Sequence, residues 1–183
     1  MNQDLKRLIP WMLLLLGLGV LMMSYTASAQ KSNEQTSDLQ TKQRRAEKGS
    51  VAMRDRGRYI VKIGGCNDCH TDHYIESEGA VGEKQWLKGS RLGWYGPWGT
   101  TYAVNLRRFV SVFPEDQWVS FARTAKSRPP MPWWTLKDMN ELDLRAIHVF
   151  VKYLGPDGEN VPAALPPDRM PNYPYVQFPM PSK

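Results

Sequence analysis

The chain has 183 residues, a formal net charge of +6 and only two cysteines. This length suits one folded domain with flanking segments, and the absence of internal repeats excludes a repeat architecture. The basic residues form no long lysine or arginine run, so they indicate either ordinary surface charge or docking to an acidic partner or an anionic membrane surface.

The first 29 residues have the pattern of a secretory signal peptide. Lys6 and Arg7 precede an apolar run at residues 8–23, and residues 27–29 (Ala-Ser-Ala) provide a small-x-small cleavage site. We therefore expect a periplasmic protein whose mature chain begins at Gln30. The alternative is an uncleaved membrane anchor, because the apolar run is slightly long for a signal core and slightly short for a spanning helix.

Residues 30–48 are polar, and Leu39 is their one large apolar side chain. Such a segment cannot bury enough apolar surface to offset the entropy lost on ordering, so we predict a flexible linker. The folded domain is expected at residues 49–155.

Residues 51–63 are predicted to form an amphipathic helix, because apolar residues recur at helical spacing. Gly57 is costly inside a helix and suggests a close helix crossing. Gly64 and Gly65 are expected to end the helix. The apolar positions of this helix are Val51, Ala52, Tyr59, Ile60 and Ile63.

The segment Cys66-Asn67-Asp68-Cys69-His70 is the most specific motif of the chain. Two thiols at this spacing on one short helical turn can reach the two vinyl groups of a haem and form thioethers. The histidine that follows then lies under the iron and can supply an axial nitrogen. We therefore expect one covalent haem c, attached through Cys66 and Cys69, with His70 as an iron ligand. An exported haem protein is not expected to bind nucleic acid.

Two other functions are compatible with two cysteines at this spacing. A thioredoxin-like dithiol normally follows a strand in a βαβ pattern, and no such pattern surrounds these cysteines. A structural zinc site needs four nitrogen or sulfur ligands at suitable spacing, and the remaining histidines, His73 and His148, do not complete such a set.

Two further helices are predicted, at residues 115–125 and 140–154. Pro114 suits the first turn of one helix, and Asn140 with Asp143 forms a variant capping box at the start of the other. No convincing strand pattern is visible, so the expected fold class is all-α with long loops. The last helix carries an apolar stripe and is expected to stop at Gly155; the stripe comprises Leu144, Ile147, Val151 and Leu154.

Residues 156–183 form a proline-rich tail. This composition favours an extended, polyproline-like chain without internal hydrogen bonds. The interleaved aromatic residues suggest that part of the tail lies against the domain. The alternative is a disordered recognition segment for a partner.

The order of helix, haem motif, middle loop region, proline-flanked methionine and terminal helix resembles a class I c-type cytochrome. Residues 96–106, 131–133 and 139–147 are similar to segments of the cytochrome subunits of membrane-bound alcohol and gluconate dehydrogenases. The resemblance covers residues 51–154, although those subunits usually carry three haem domains. It implies a class I cytochrome c-like helical domain around one haem, with a dehydrogenase, an oxidase or another cytochrome as redox partner.

The resemblance also implies roles for individual residues. In class I cytochromes a proline carbonyl accepts the Nδ1 proton of the haem histidine, and Pro97 is the candidate here; shaping a turn is its alternative role. Gly57 and Tyr153 match the crossing of the first and last helices. Five aromatic residues would be neighbours of the haem or its propionates, with core packing as their alternative role. They are Trp94, Trp98, Tyr102, Trp133 and Trp134. Arg107 and Arg108 are either propionate partners or, more simply, solvated charges.

Met131 is the expected sixth ligand of the iron. It lies in the stiff loop Pro129-Pro130-Met131-Pro132, where prolines reduce the entropy lost in holding a weak thioether, and it matches the position of the family's ligand methionine. Simple loop packing is its alternative role. The other methionines of the mature chain are less suitably placed in the sequence; they are Met53, Met139, Met170 and Met180.

Together these expectations describe a periplasmic monohaem c-type cytochrome that carries single electrons between redox partners and is not itself an enzyme. One alternative is a dedicated subunit of a periplasmic dehydrogenase or oxidase complex. The other is a haem sensor or enzyme with an open iron site, which would lack a sixth protein ligand.

Overall fold

The computed structural model describes residues 3–172 and 174–180, and for residues 3–30, 32 and 34 it describes the backbone only. The chain divides into two compact units, residues 1–49 and 50–183. In chain order the helices and strands are α1 Gln3–Ile63, α2 Cys66–His70, β1 Gly93–Gly96, β2 Gly99–Tyr102, α3 Leu106–Ser111, α4 Glu115–Thr124, α5 Trp133–Asp138, α6 Glu141–Leu154 and β3 Tyr175–Gln177. A 3-10 turn, Glu83–Gln85, lies between α2 and β1.

The first unit contains the N-terminal part of α1. Residues 30–48, for which we predicted a flexible linker, are helical, and the side chains described among them are all exposed. The signal-peptide prediction falls on residues 1–29, whose side chains lie outside the described part of the chain, as do Met1 and Asn2 entirely. Among the residues that the structure does describe, no helix is sufficiently long and apolar to cross a membrane.

The predicted all-α class is wrong, because the second unit contains a three-stranded mixed sheet in the order β2-β1-β3. Strands β1 and β2 form an antiparallel hairpin in which Trp94 lies opposite Thr101. Strand β3 runs parallel to β1 and comes from the tail. The strands are only three or four residues long and the hairpin is rich in glycine, so the sequence lacks the alternating, β-branched runs by which strands are recognised.

The core of the second unit lies between the C-terminal part of α1 and helices α3, α4 and α6. The predicted stripe on α6 is confirmed, with Leu144, Ile147 and Val151 buried and Leu154 packed against them. The predicted face of α1 is only partly correct. Ile60 packs on the core, but Tyr59 and Ile63 are exposed, and the buried residue is Val61.

Gly57 lies at a close crossing of α1 and α6, as predicted. A Cβ atom at Gly57 would overlap the carbonyl oxygen of Ala146 and approach the Cβ of Phe150 to 2.7 Å. The aromatic residue at the crossing is therefore Phe150 and not Tyr153. Tyr153 is exposed, and its ring centroid lies 4.6 Å from the guanidinium carbon of Arg54.

The predicted start and end of α6 are confirmed. The side chain of Asn140 accepts a hydrogen bond from the backbone N–H of Asp143 at 2.9 Å, which satisfies one of the free donors of the first turn. Gly155, with φ of 70°, ends the helix in a conformation that favours glycine. Helix α4 likewise follows Pro114 directly, as expected.

The tail lies along both edges of the hairpin. Leu165 exchanges two backbone hydrogen bonds with Thr100 of β2, each of 3.0 Å. On the other edge, β3 pairs with β1, and the backbone N–H of Phe178 donates to the carbonyl of Tyr95 at 2.7 Å. The hairpin is therefore held between two segments of the proline-rich tail.

Candidate functional site

The two cysteines and the histidine of the motif lie on α2, a five-residue helix that begins almost directly after α1. Gly65, with φ of 69°, provides the left-handed turn between the two helices. His70 is buried, and Cys66 and Cys69 are partly buried. All three side chains line one cavity of about 280 Å³.

Met131 lines the same cavity from the loop between α4 and α5. The structure therefore brings together the four residues that the sequence predicted as one site. The walls are mainly apolar, as is usual for small-molecule and cofactor sites, whose volumes run from roughly 300 to 1,000 Å³. The apolar lining includes Val61, Leu87, Leu106, Phe109, Val110, Trp118, Phe121, Leu136, Ile147 and Val151.

His70 is oriented by a hydrogen bond between its Nδ1 atom and the carbonyl oxygen of Val104, at 2.7 Å. A carbonyl can only accept, so Nδ1 carries the proton and Nε2 keeps its lone pair. Burial lowers the pKa of His70, and the bond to Val104 opposes that effect. A neutral imidazole with a free Nε2 and an anchored Nδ1 is the form in which histidine binds metals.

The prediction that Pro97 accepts this hydrogen bond is wrong. Pro97 and Trp98 form the two-residue loop between β1 and β2, and Pro97 is exposed. The acceptor is instead the carbonyl oxygen of Val104, two residues after the end of β2. Because Val104 accepts through its backbone, no side-chain type or spacing in the sequence indicates that it bonds to His70.

The cysteine thiols are held in their neutral form. Burial raises the pKa of the Cys66 thiol to about 11 and also raises the pKa of Cys69. A redox-active dithiol requires a lowered thiol pKa, so these values do not favour the thioredoxin-like alternative. The zinc alternative has no support either, because the described residues contain no group of three or more histidine, cysteine, aspartate or glutamate side chains placed to hold a metal ion.

The remaining candidate ligands lie elsewhere. Met139 packs against the core, whereas Met170 and Met180 are exposed. His73 is exposed, and His148 is buried on α6 with its Nε2 atom 2.9 Å from the carbonyl oxygen of Phe113. Among the methionines whose side chains are described, Met131 is the one that lines the cavity.

Three of the five predicted aromatic neighbours, Trp94, Tyr102 and Trp133, line the cavity. Trp98 is instead partly buried at the hairpin turn, and Trp134 is exposed.

Trp94 and Thr101 lie opposite each other on β1 and β2 and both line the cavity. Each carries a polar atom that is able to bond to a polar group of a ligand. The indole nitrogen of Trp94 and the hydroxyl of Thr101 are both buried without a hydrogen-bond partner among the described residues. Leaving a buried donor unpaired costs about 1–3 kcal/mol, so acceptor groups on a ligand at this wall would offset that cost. Arg128 adds a positive charge to the lining; it directly precedes the Pro129–Pro132 loop but was not predicted as a site residue. These residues fit a haem, which is apolar over most of its surface and carries two carboxylates.

Arg107 has neither of its predicted roles. It is buried, and its guanidinium donates hydrogen bonds to the carbonyl groups of Leu154, Gly155 (2.6 Å) and Lys84 (2.9 Å). It therefore satisfies carbonyls at the C-terminal end of α6, where a positive charge also interacts favourably with the helix dipole. Arg108 is exposed and donates to the carbonyl of Gly158 at 3.0 Å.

No family model matches this sequence, and neither the curated proteins nor the solved structures include a significant match to the chain.

Proposed function

We propose that the chain is a monohaem c-type cytochrome that carries single electrons between redox partners. The observation that carries this proposal is the shared cavity of Cys66, Cys69, His70 and Met131, in which the Nδ1 atom of His70 is already bound to a carbonyl. A haem, when attached, supplies a one-electron Fe(III)/Fe(II) couple.

The chain's own residues would hold the haem and set its properties. Cys66 and Cys69 would provide thioether sulfurs, while the free Nε2 of His70 and the thioether of Met131 would hold the haem iron. The hydrogen bond that Nδ1 of His70 donates to the carbonyl of Val104 fixes the imidazole plane and increases the basicity of the ring. The apolar walls exclude water, and histidine–methionine ligation favours the reduced state, so both features support a raised reduction potential.

The signal-like N-terminus supports a periplasmic location, where covalent haem attachment and exchange with exported redox proteins would occur. The electron donor and acceptor would be a dehydrogenase, an oxidase or another cytochrome. The proposed protein is an electron carrier and not an enzyme.

The decisive experiment is co-expression with a haem-attachment system, followed by acid–acetone extraction of the purified protein. We expect haem to remain with the wild-type chain and to be extracted from the double variant Cys66→Ser, Cys69→Ser. The single variants serve as controls and should retain haem through one thioether at reduced yield. Quantitative extraction of haem from the wild type would refute the proposal.

A further inference from the structure

The proline-rich tail is bonded to the cavity wall that carries Val104, whose carbonyl oxygen accepts the hydrogen bond of His70. Leu165 pairs with Thr100 on the outer edge of β2 through two hydrogen bonds of 3.0 Å. The side-chain amide of Asn105 donates to the carbonyls of Asp157 and Glu159, at 2.8 and 3.0 Å. Val104 lies between these two attachment points, so its carbonyl oxygen is held on both sides by the tail.

A second link between the tail and the cavity runs through aromatic side chains. The ring centroid of Phe178 lies 6.2 Å from that of Trp94 and 5.1 Å from that of Trp98. Trp94 lines the cavity, and its indole nitrogen has no hydrogen-bond partner among the described residues. Because no such bond fixes the indole, its orientation depends on packing, and Phe178 supplies part of that packing.

We propose that the tail is a positioning element of the haem site, with Phe178 as the positioning residue for Trp94. This role rests on the proposed function, since it concerns the same cavity. Phe178 does not itself line the cavity. It acts through Trp94, whose indole would adjoin the haem and influence the polarity around the iron and hence the reduction potential.

The tail also provides a matched control. Tyr175 lies on β3 and packs against Tyr95, with ring centroids 5.9 Å apart. Side chains alternate between the faces of a strand, so Tyr95 lies on the opposite face of β1 from Trp94, and Tyr95 does not line the cavity. Tyr175→Ala therefore removes an aromatic contact between tail and hairpin without removing the contact to Trp94.

The test compares Phe178→Ala, Phe178→Leu and Tyr175→Ala in the full-length, haem-loaded protein. We measure the midpoint potential and the hydrogen-exchange rate of the Trp94 indole proton. In Phe178→Ala we expect a shifted potential and roughly tenfold faster exchange, which corresponds to about 1.4 kcal/mol. Phe178→Leu, which keeps an apolar side chain of similar reach, should restore both values towards the wild type, and Tyr175→Ala should leave both close to the wild type.

Equal effects of Phe178→Ala and Tyr175→Ala would overturn the proposal, because they would indicate only general loosening of the tail. Unchanged potential and exchange in Phe178→Ala would also overturn it. Both outcomes leave the proposed function intact, since all variants carry covalent haem. A wild-type chain that lacks covalent haem would instead refute the proposed function, and the indole exchange rates would then report only packing.

Discussion

The Nδ1 atom of His70 lies 2.7 Å from the carbonyl oxygen of Val104, so a backbone group 34 residues further along the chain fixes the orientation of the imidazole. A carbonyl acceptor cannot be removed by changing a side chain. The contact therefore depends on the backbone conformation after β2. It is lost only when His70 is replaced or when the backbone at Val104 moves.

Replacing His70 should abolish the site. In His70→Ala both the proposed nitrogen ligand and the contact with Val104 are lost, so we expect either failure of haem attachment or a five-coordinate product, detected by absorption spectroscopy and haem content. His73→Ala, at an exposed position three residues later, should match the wild type in both measurements. A haem-loaded His70→Ala protein with an unchanged spectrum would contradict the assignment.

Met131→Ala should lower the reduction potential, because it removes the proposed thioether ligand, and thioether ligation favours Fe(II). The weak far-red sulfur-to-iron band of the oxidised protein should disappear, and carbon monoxide should gain access to the iron. Met170→Ala, at an exposed tail position, is the control and should change none of these properties. If the wild type already binds carbon monoxide readily and lacks the band, the iron site is open and a sensor or enzyme is favoured.

Gly57→Ala should destabilise the second unit, because the added methyl group would overlap the carbonyl oxygen of Ala146 at the crossing of α1 and α6. Overpacking of this kind costs about 1–3 kcal/mol. Gly49→Ala is the matched control, since Gly49 is also helical but has no neighbouring atom within 4 Å of the added Cβ. There we expect a gain of about 0.5–1 kcal/mol from helix propensity. Denaturant unfolding of the haem-loaded proteins measures both values, and equal values would contradict the crossing.

Asp157 should make the stability depend on pH in the acidic range. Lys88 and the backbone N–H of Gly158 bind this carboxylate at 2.6 and 2.7 Å and hold its pKa below the usual range, with Arg107 contributing at 3.5 Å. Because the folded-state pKa is lowered, the contribution is complete above the unfolded pKa of about 3.9 and is lost as the pH falls through the folded-state value.

Asp157→Asn should therefore lower the free energy of unfolding at pH 7, and the difference from the wild type should shrink as the pH falls below about 4. Asp168→Asn is the control, because Asp168 is an exposed tail carboxylate that forms no ion pair with the described residues. Urea unfolding across the acidic range provides the measurement. A difference between Asp157→Asn and the wild type that is constant with pH would exclude the carboxylate charge as its cause.

Features with a local signature could be predicted from the sequence. The Asn140 cap, the apolar stripe of α6 and the crossing at Gly57 each follow from residues close together in the chain, and the structure contains all three. The Cys66–His70 segment could likewise be predicted as one short helical turn, and its two cysteines and histidine do lie on one five-residue helix.

The remaining features depend on contacts between distant segments. Arg107 was expected to be solvated, but its guanidinium is buried against the carbonyls at the end of α6, which are nearly fifty residues away. The acceptor for His70 is a backbone group 34 residues away, and β3 pairs with β1 from the opposite end of the unit. None of these partners is adjacent in sequence, so neither periodicity nor spacing could indicate them.

The pairing of β3 with β1 has a consequence for the order in which the molecule assembles. It joins Gly93 to Tyr175, with four helices of the chain in between. Closing such a long loop is entropically costly, so this pairing is expected to form late in folding. Until then, β1 presents unpaired N–H and C=O groups along one edge, to which a second unfolded chain can add. Slow docking of the tail would therefore lead to aggregation of newly made protein.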